Sequence, residues 1–397
     1  MVFACCFSIL PIRKYAYDLF ILIHIAFAIL FLIGMWYHLK LTVPVYLNFL
    51  YPCFALWGVD RFARIAKICF ANASLAGSAS YNKEADLIRV QIPVRSAFCP
   101  RPGTYYFIYV LHGLKPWESH PFTLSTWQNE DSSQRSQRSA TFLIKPQKGA
   151  TARLRDLVLK KGNAQDAKSG SSVAKLRLIV EGPYGNAHSL EHYHSVLFII
   201  GGYGVTVALS HIQALHESFS SDEGSLNIRR VHLVWALRDE ALFDDVYKNE
   251  LQAWLTSPLW ERAEFIIDIY VTRSHKSIGV KEHNNNSGES FRGQMCSSNF
   301  KAEKVEAPPP AGGIFTTKGL GMVTKTTMKG NISLLRHRPA ISDIVLEAVQ
   351  TWCVQGEHMA LVSCGPATLA DDTRAAAVSA LSQGYDGLDF WPESFDW

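Results

Sequence analysis

The sequence predicts a multidomain chain: two transmembrane α-helices, then an antiparallel β-barrel, then a doubly wound α/β domain. Three observations predict it. Apolar residues fill 48% of the 397 positions but crowd the first 70. Residues 71–190 hold short runs that alternate with period two. Residues 191–397 alternate buried strands with helical stretches, the pattern of a parallel sheet.

Residues 15–39 offer about 25 mostly apolar positions, and a span needs roughly 20. Residues 43–59 form a second, shorter run, where Pro44 and Pro52 predict a kink. Arg13 and Lys14 precede the first run, and Arg61, Arg64 and Lys67 follow the second. Only Lys40 lies at the hairpin tip, so the positive-inside rule places both flanks in the cytoplasm. Arg13 and Lys14 follow an apolar patch rather than precede one, which argues against a signal peptide. His24 and His38 interrupt the first run. Fourteen positions of helix turn them to within about 40° of one face and separate them by about 21 Å. Neutral imidazole is an axial ligand of b-type haem, and two stacked haems fit that rise. Alternatively each imidazole bonds a neighbouring helix, or His38 sits at the interface. An ionisable side chain inside a span is a functional candidate in either case.

The barrel reading rests on "DLIRVQIPV" (86–94), "TYYFIYVLH" (104–112) and "ATFLIKP" (140–146), with Gly103, Pro116 and Pro121 as punctuation. In the second half "SVLFIIGGYGVTVALSHIQAL" (195–215) reads as strand, glycine turn and helix. "RRVHLVWALRD", "EFIIDIYVTR" and "HMALVSCGP" read as further buried strands, and "ISDIVLEAVQTWC" and "ATLADDTRAAAVSAL" as helices. Residues 128–140, rich in Ser and Gln, and 161–174 resist assignment. Residues 274–333, with "NNN" and "PPP", read as a disordered insertion. The net charge of +4, without a long basic run, argues against nucleic acid as a partner. Eight cysteines without a CxxC pair indicate neither a zinc site nor a disulfide framework.

"GGYGVT" (201–206) follows the strand "VLFII". Gly201, Gly202 and Gly204 let a diphosphate approach the backbone, and Val205 and Thr206 open the helix whose N-terminus favours negative charge. A plain strand-to-helix turn is the alternative.

"RPGTYYF" (101–107) and "HPFTLS" (120–125) are more specific. Together they resemble the flavoprotein half of the ferric reductase and NADPH oxidase superfamily. The resemblance implies that His120, Pro121, Phe122, Thr123 and Ser125 contact FAD. "KPQKGATARL" (145–154) resembles that family's turn onto the FAD diphosphate, with Thr151 as the contact, although Ala150 stands where an aromatic is common. "VEGPYG" (180–185) resembles the turn that closes the flavin domain. "VSCGP" (362–366) resembles the loop beside the nicotinamide, giving Cys364, Gly365 and Pro366. A buried structural cysteine is the alternative for Cys364. Trp235, Arg238 and Arg273 fall where the family holds the adenosine half of NADPH, and an arginine fork suits a 2′-phosphate. The terminal Trp397 resembles the aromatic that covers the flavin ring.

"YDLFILIHIAFAILFLIGMWYH" and "WGVDRFARI" are similar to the last two spans of fungal metalloreductases. The resemblance implies an FAD domain over 71–190 and an NADPH domain over 191–397, behind a membrane part over 1–70. In that reading the two helices are the C-terminal transmembrane pair of a multi-pass plasma-membrane protein, with both nucleotide domains cytoplasmic. It implies electron flow from NADPH through FAD and haem b to Fe(III) or Cu(II) chelates, with a lipid bilayer and a second copy or other reductase subunits as partners. The family supplies two further haem-ligating histidines from an earlier helix that this sequence lacks. The expectation is therefore a truncated member. A superoxide-generating NADPH oxidase and a haem-free remnant with only diaphorase or regulatory activity remain alternatives.

Overall fold

The computed structural model describes residues 17–72, 75–95, 98–112, 118–129, 138–162, 171–220, 227–255, 263–273, 326–328, 332–353 and 356–393. The chain opens with helix α1 (Tyr17–Thr42), a 3-10 turn (Pro44–Tyr46) and helix α2 (Leu47–Ala71). Among the described residues only α1, over Phe20–Thr42, is long and apolar enough to cross a membrane. The second span expected at 43–59 is instead the 3-10 turn Pro44–Tyr46 followed by the first half of α2. That helix runs through Pro52 and carries Asp60, Arg61, Arg64 and Lys67 in its second half. These charges give the second half an aqueous or protein environment rather than a lipid one.

Strands β1 (Ala76–Asn82), β2 (Leu87–Pro93), β3 (Tyr105–Val110), β4 (Ser119–Thr123), β5 (Thr126–Gln128) and β6 (Ser139–Ile144) follow, then helix α3 (Ala150–Lys161) and the long β7 (Ser171–Tyr184). They form one antiparallel sheet in the order β4-β3-β7-β1-β2-β6-β5. The two edge strands are consecutive in sequence. The Leu124 N–H donates to the Thr104 carbonyl at 3.0 Å and the Ser125 N–H to the Thr141 carbonyl at 3.0 Å, so this corner draws the edges together. Pro121 lies inside β4 rather than between strands, as an edge position allows. Of the unassigned stretches, 161–174 gives its last residues to β7 and 128–140 gives its ends to β5 and β6; residues 163–170 and 130–137 lie outside the described residues.

The second layer holds β8 (Ser195–Gly201), α4 (Val205–Ser220), β9 (Arg230–Leu237), α5 (Glu240–Val246), a π-turn (Tyr247–Leu251), the short α6 (Gln252–Leu255), β10 (Glu264–Val271), β11 (Thr326–Met328), β12 (Ile332–Leu335), α7 (Ile341–Trp352), β13 (Met359–Cys364), α8 (Ala367–Ser382) and β14 (Leu388–Glu393). The sheet order is β11-β12-β10-β9-β8-β13-β14, and every pair except β11–β12 is parallel. α4 and α5 cover one face; α7 and α8 cover the other. The insertion expected over 274–333 is corrected at its end, where β11 and the first residues of β12 join the sheet. Residues 274–325 and 329–331 lie outside the described residues.

β8 stands between β9 and β13, so the connections that leave β8 and β13, through α4 and α8, depart to opposite sides. Such a switch point opens a crevice at the carboxyl ends of the strands. The barrel packs beside α4 with direct ties. The Tyr203 hydroxyl meets the Ala85 and Asp86 carbonyls at 2.9 Å each. The Gln213 amide bonds both the N–H and the carbonyl of Trp127, at 3.0 and 2.7 Å. Arg89 reaches Asp245 at 2.6 Å and Glu250 at 2.9 Å.

Candidate functional site

The edge strand β4 presents His120, Pro121 and Phe122 at half-buried positions and Thr123 buried. These residues line one cleft of about 510 Å³ together with Thr151, Gly201, Gly204, Thr206, Cys364, Gly365 and Pro366. Four motifs that are far apart in sequence thus meet at the switch point. A second hollow of about 630 Å³ adjoins it, shares His120, Phe122 and Thr151, and extends over Arg153.

Two helix N-termini face the first cleft. α3 begins at Ala150 behind Gly149, whose φ of +91° is left-handed and whose missing Cβ leaves open space. The Thr151 hydroxyl is held there by the Gln147 N–H at 2.8 Å. α4 begins at Val205, after Gly202 at φ +55°, again with open space around it. The start of α3 suits the phosphates of a dinucleotide; α4 instead follows a 3-10 turn (Gly202–Gly204), and the Val205 N–H already donates to the Gly202 and Tyr203 carbonyls, leaving the positive end of the helix dipole as its contribution. Lys145 and Lys148 add positive charge to the same wall.

Glu118 organises the β4 side. Its carboxylate accepts from His120 Nε2 at 3.0 Å and from Arg153 at 2.6 and 2.5 Å. Burial alone pushes Glu118 up, but the bonds from His120 and Arg153 outweigh it and leave the carboxyl below its ordinary value. Arg153 lies in the stretch 145–154 and Glu118 just before β4, and sequence reasoning singles out neither; the pairing joins residues 35 apart, one ahead of a strand and one on a helix.

The glycines do a second job. A Cβ on Gly204 would lie 2.6 Å from the Cys364 carbonyl and 2.9 Å from its Sγ. A Cβ on Gly201 would lie 2.6 Å from Pro366 Cδ and 3.2 Å from Gly365 Cα. The turn after β8 and the loop after β13 therefore pack backbone against backbone; Gly201 and Gly204 still line the cleft, while Gly202 has open space around it but is not part of that lining. Thr206 is buried, its hydroxyl 3.3 Å from the Tyr203 carbonyl. Cys364 is fully buried, and burial together with the charge of nearby Glu393 pushes its thiol far up. It is a neutral thiol, not a nucleophilic thiolate.

Two expected contacts are corrected. Trp235 has no exposed surface and donates its indole N–H to the Gly202 carbonyl at 2.8 Å. It shapes the turn from behind instead of touching a nucleotide. Ser125 is fully buried at the barrel corner and does not line the cleft; its hydroxyl has no partner among the described residues. Arg238 and Arg273 are exposed just past the carboxyl ends of the neighbouring strands β9 and β10. Trp397 lies outside the described residues.

His24 and His38 are both exposed on α1, with the Phe20 ring 5.6 Å from that of His24. Among the described residues no group of three or more metal-binding side chains gathers. α1 offers one imidazole at each of two levels, so a haem ligated on both faces needs a second imidazole from outside this helix.

Fold and cleft define a FAD-binding barrel coupled to a nicotinamide-nucleotide-binding α/β domain. A FAD-binding domain model matches residues 71–188 and a ferric reductase NAD binding domain model matches residues 193–378. By these two matches the chain carries a FAD-binding domain followed by a ferric reductase NAD binding domain. Ferric reductase transmembrane component 4 of Saccharomyces cerevisiae is 32% identical over 253 residues, 62% of this chain and 31% of the relative. Ferric/cupric reductase transmembrane component 2 of the same yeast is 25% identical over 409 aligned positions, 98% of this chain and 48% of the relative. A probable ferric reductase transmembrane component of Candida albicans is 23% identical over 393 positions, 98% of this chain and 51% of the relative. The chain spans about half the length, or less, of these relatives.

Proposed function

We propose that this chain carries the NADPH-to-FAD half of a membrane metalloreductase acting on Fe(III) or Cu(II) chelates. The observation that supports it best is the convergence of His120–Thr123, Thr151, the turn 201–206 and the loop 364–366 on one cleft. The reading assigns 1–70 to the membrane part, 71–190 to FAD and 191–397 to NADPH. It places the protein in the plasma membrane with both nucleotide domains cytoplasmic, in contact with lipid and with a second copy or other reductase subunits.

The residues present fit both dinucleotides. Thr151 and the start of α3 would hold the FAD diphosphate, with Arg153 released from Glu118 onto it. Pro121 and Phe122 would wall the flavin ring. Gly202 and the start of α4 would hold the NADPH diphosphate, and Arg238 and Arg273 its 2′-phosphate. Bound FAD would accept hydride from NADPH and release electrons one at a time. Cys364, kept neutral by burial, offers S–H as a donor beside the nicotinamide and no competing nucleophile. Trp397 would cover the ring until nucleotide displaces it.

The test is expression of the full chain in membranes, followed by NADPH-dependent reduction of a soluble dye and of Fe(III) chelates, and a dithionite-reduced minus oxidised spectrum. Dye and chelate reduction with b-type haem bands support the complete pathway. Dye reduction with a flavin signal alone supports the haem-free diaphorase. Superoxide formed without added Fe(III) moves the reading to an NADPH oxidase. A chain that reduces no acceptor overturns it.

A further inference from the structure

α2 ends against the barrel, where its last turns meet one buried carboxylate and its cap bonds the neighbouring backbone. Glu181, on β7, is 1% exposed. It accepts from the Tyr109 hydroxyl at 2.5 Å and from the Tyr184 hydroxyl. From α2, Arg64 Nε approaches it to 3.8 Å. One turn further along, the Lys67 ammonium lies 5.3 Å from the centre of the Tyr184 ring. The helix end is fixed beside this pair. Asn72 donates to the Val180 carbonyl at 2.8 Å and accepts from the Val180 N–H at 2.9 Å, and its side chain also caps the Ile68 carbonyl.

A carboxylate taken out of water needs a cation and donors around it. Here two tyrosines of the barrel and one arginine of the helix supply them, so the charge is satisfied in full only when α2 is seated. Burial and the Glu181 bond both push the Tyr109 and Tyr184 hydroxyls up, which keeps them as donors. The position of Glu181 matters as much as its partners. It pairs in register with Phe107 of β3, and Phe107 pairs with Pro121 of β4. Helix, carboxylate and flavin-site strand thus lie in one row across three adjacent strands. Two strand spacings, about 10 Å, separate Glu181 from Pro121.

We propose that Glu181 is the anchor that seats α2 on the barrel and so sets how far the flavin site stands from the membrane. The proposal rests on the membrane flavoprotein reading above. Glu181 acts through the helix and touches neither dinucleotide, so it is a positioning residue.

The full chain, loaded with FAD and reconstituted in vesicles carrying a headgroup-linked acceptor dye, provides the test. Energy transfer from flavin to the dye reads the distance from site to lipid. Glu181→Gln and the helix-side double variant Arg64→Gln/Lys67→Gln are expected to lower transfer, because the barrel is no longer held at the surface. NADPH-dependent dye reduction in solution is expected to stay at the wild-type rate. The double variant leaves the tyrosine bonds of Glu181 intact, so it reports even where Glu181→Gln fails to fold. Unchanged transfer in the double variant overturns the anchor. A wild-type chain that holds flavin but reduces no dye overturns the enzymatic reading, while the transfer measurement still decides the anchor.

Discussion

The indole N–H of Trp235 donates to the carbonyl of Gly202 at 2.8 Å, from the centre of β9 to the turn that follows β8. The side chain is wholly enclosed, with the Phe243 ring 6.1 Å away. The nucleotide turn is therefore held from inside the domain. Trp235→Phe keeps most of the ring and loses the bond, which contributes about 1 kcal/mol. The expected result is a rise of about fivefold in KM for NADPH with little change in kcat or in FAD retention. Steady-state kinetics with flavin occupancy measured in parallel check it; an unchanged KM would mean the turn keeps its shape without the indole.

Gly204→Ala places a methyl 2.6 Å from the Cys364 carbonyl. Backbone must move, and overpacking of this kind costs about 1–3 kcal/mol. NADPH-dependent dye reduction is expected to fall at least tenfold, since the movement spreads the two loops that form the cleft. A thermal melt and a rate assay on the same preparation check both effects.

Cys364 should resist alkylation in the folded protein at pH 8, because only the thiolate reacts and burial suppresses it. Cys99, exposed on the FAD-side domain, serves as the internal control. Mass spectrometry after iodoacetamide should find Cys99 modified and Cys364 intact. Labelling of Cys364 at the rate of Cys99 would show a more open cleft.

His120→Ala removes a cleft wall and one of the bonds to Glu118. FAD should be retained less well, read as flavin lost on gel filtration. A variant that keeps its full flavin complement would remove His120 from the site.

Arg89 bridges Glu250 and Asp245 at the domain junction, and burial pushes the Glu250 carboxyl up to about 7 despite the guanidinium. The folded state thus keeps a proton that the unfolded chain releases near its ordinary value of about 4.3. The folded state binds more protons in that window, so stability falls as pH rises from about 4.3 to 7. Glu250→Gln should flatten this slope in denaturant titrations run across the window. A slope unchanged by the substitution would assign it to other groups.

Much of the fold is readable in the amino acids. The alternation in 86–94 becomes β2, and the strand–turn–helix over 195–215 becomes β8 and α4. Period and punctuation are local properties, so local sequence carries them. The roles of Trp235 and Ser125 were not readable. A tryptophan in a strand looks the same whether it faces ligand or core, and a serine after a strand does not announce a barrel corner. The junction was equally hidden: Arg89 and Asp245 stand 156 residues apart, and no periodicity links them. Nor did the basic residues after the second apolar run show that Arg64 and Lys67 turn towards the barrel.

Tyr203, Gln213 and Arg89 each cross from one domain to the other, at separate points of the contact. Three such struts leave no single axis about which the halves can rotate without breaking at least one of them. The two walls of the cleft are thus braced against each other at several separate points rather than along one hinge line.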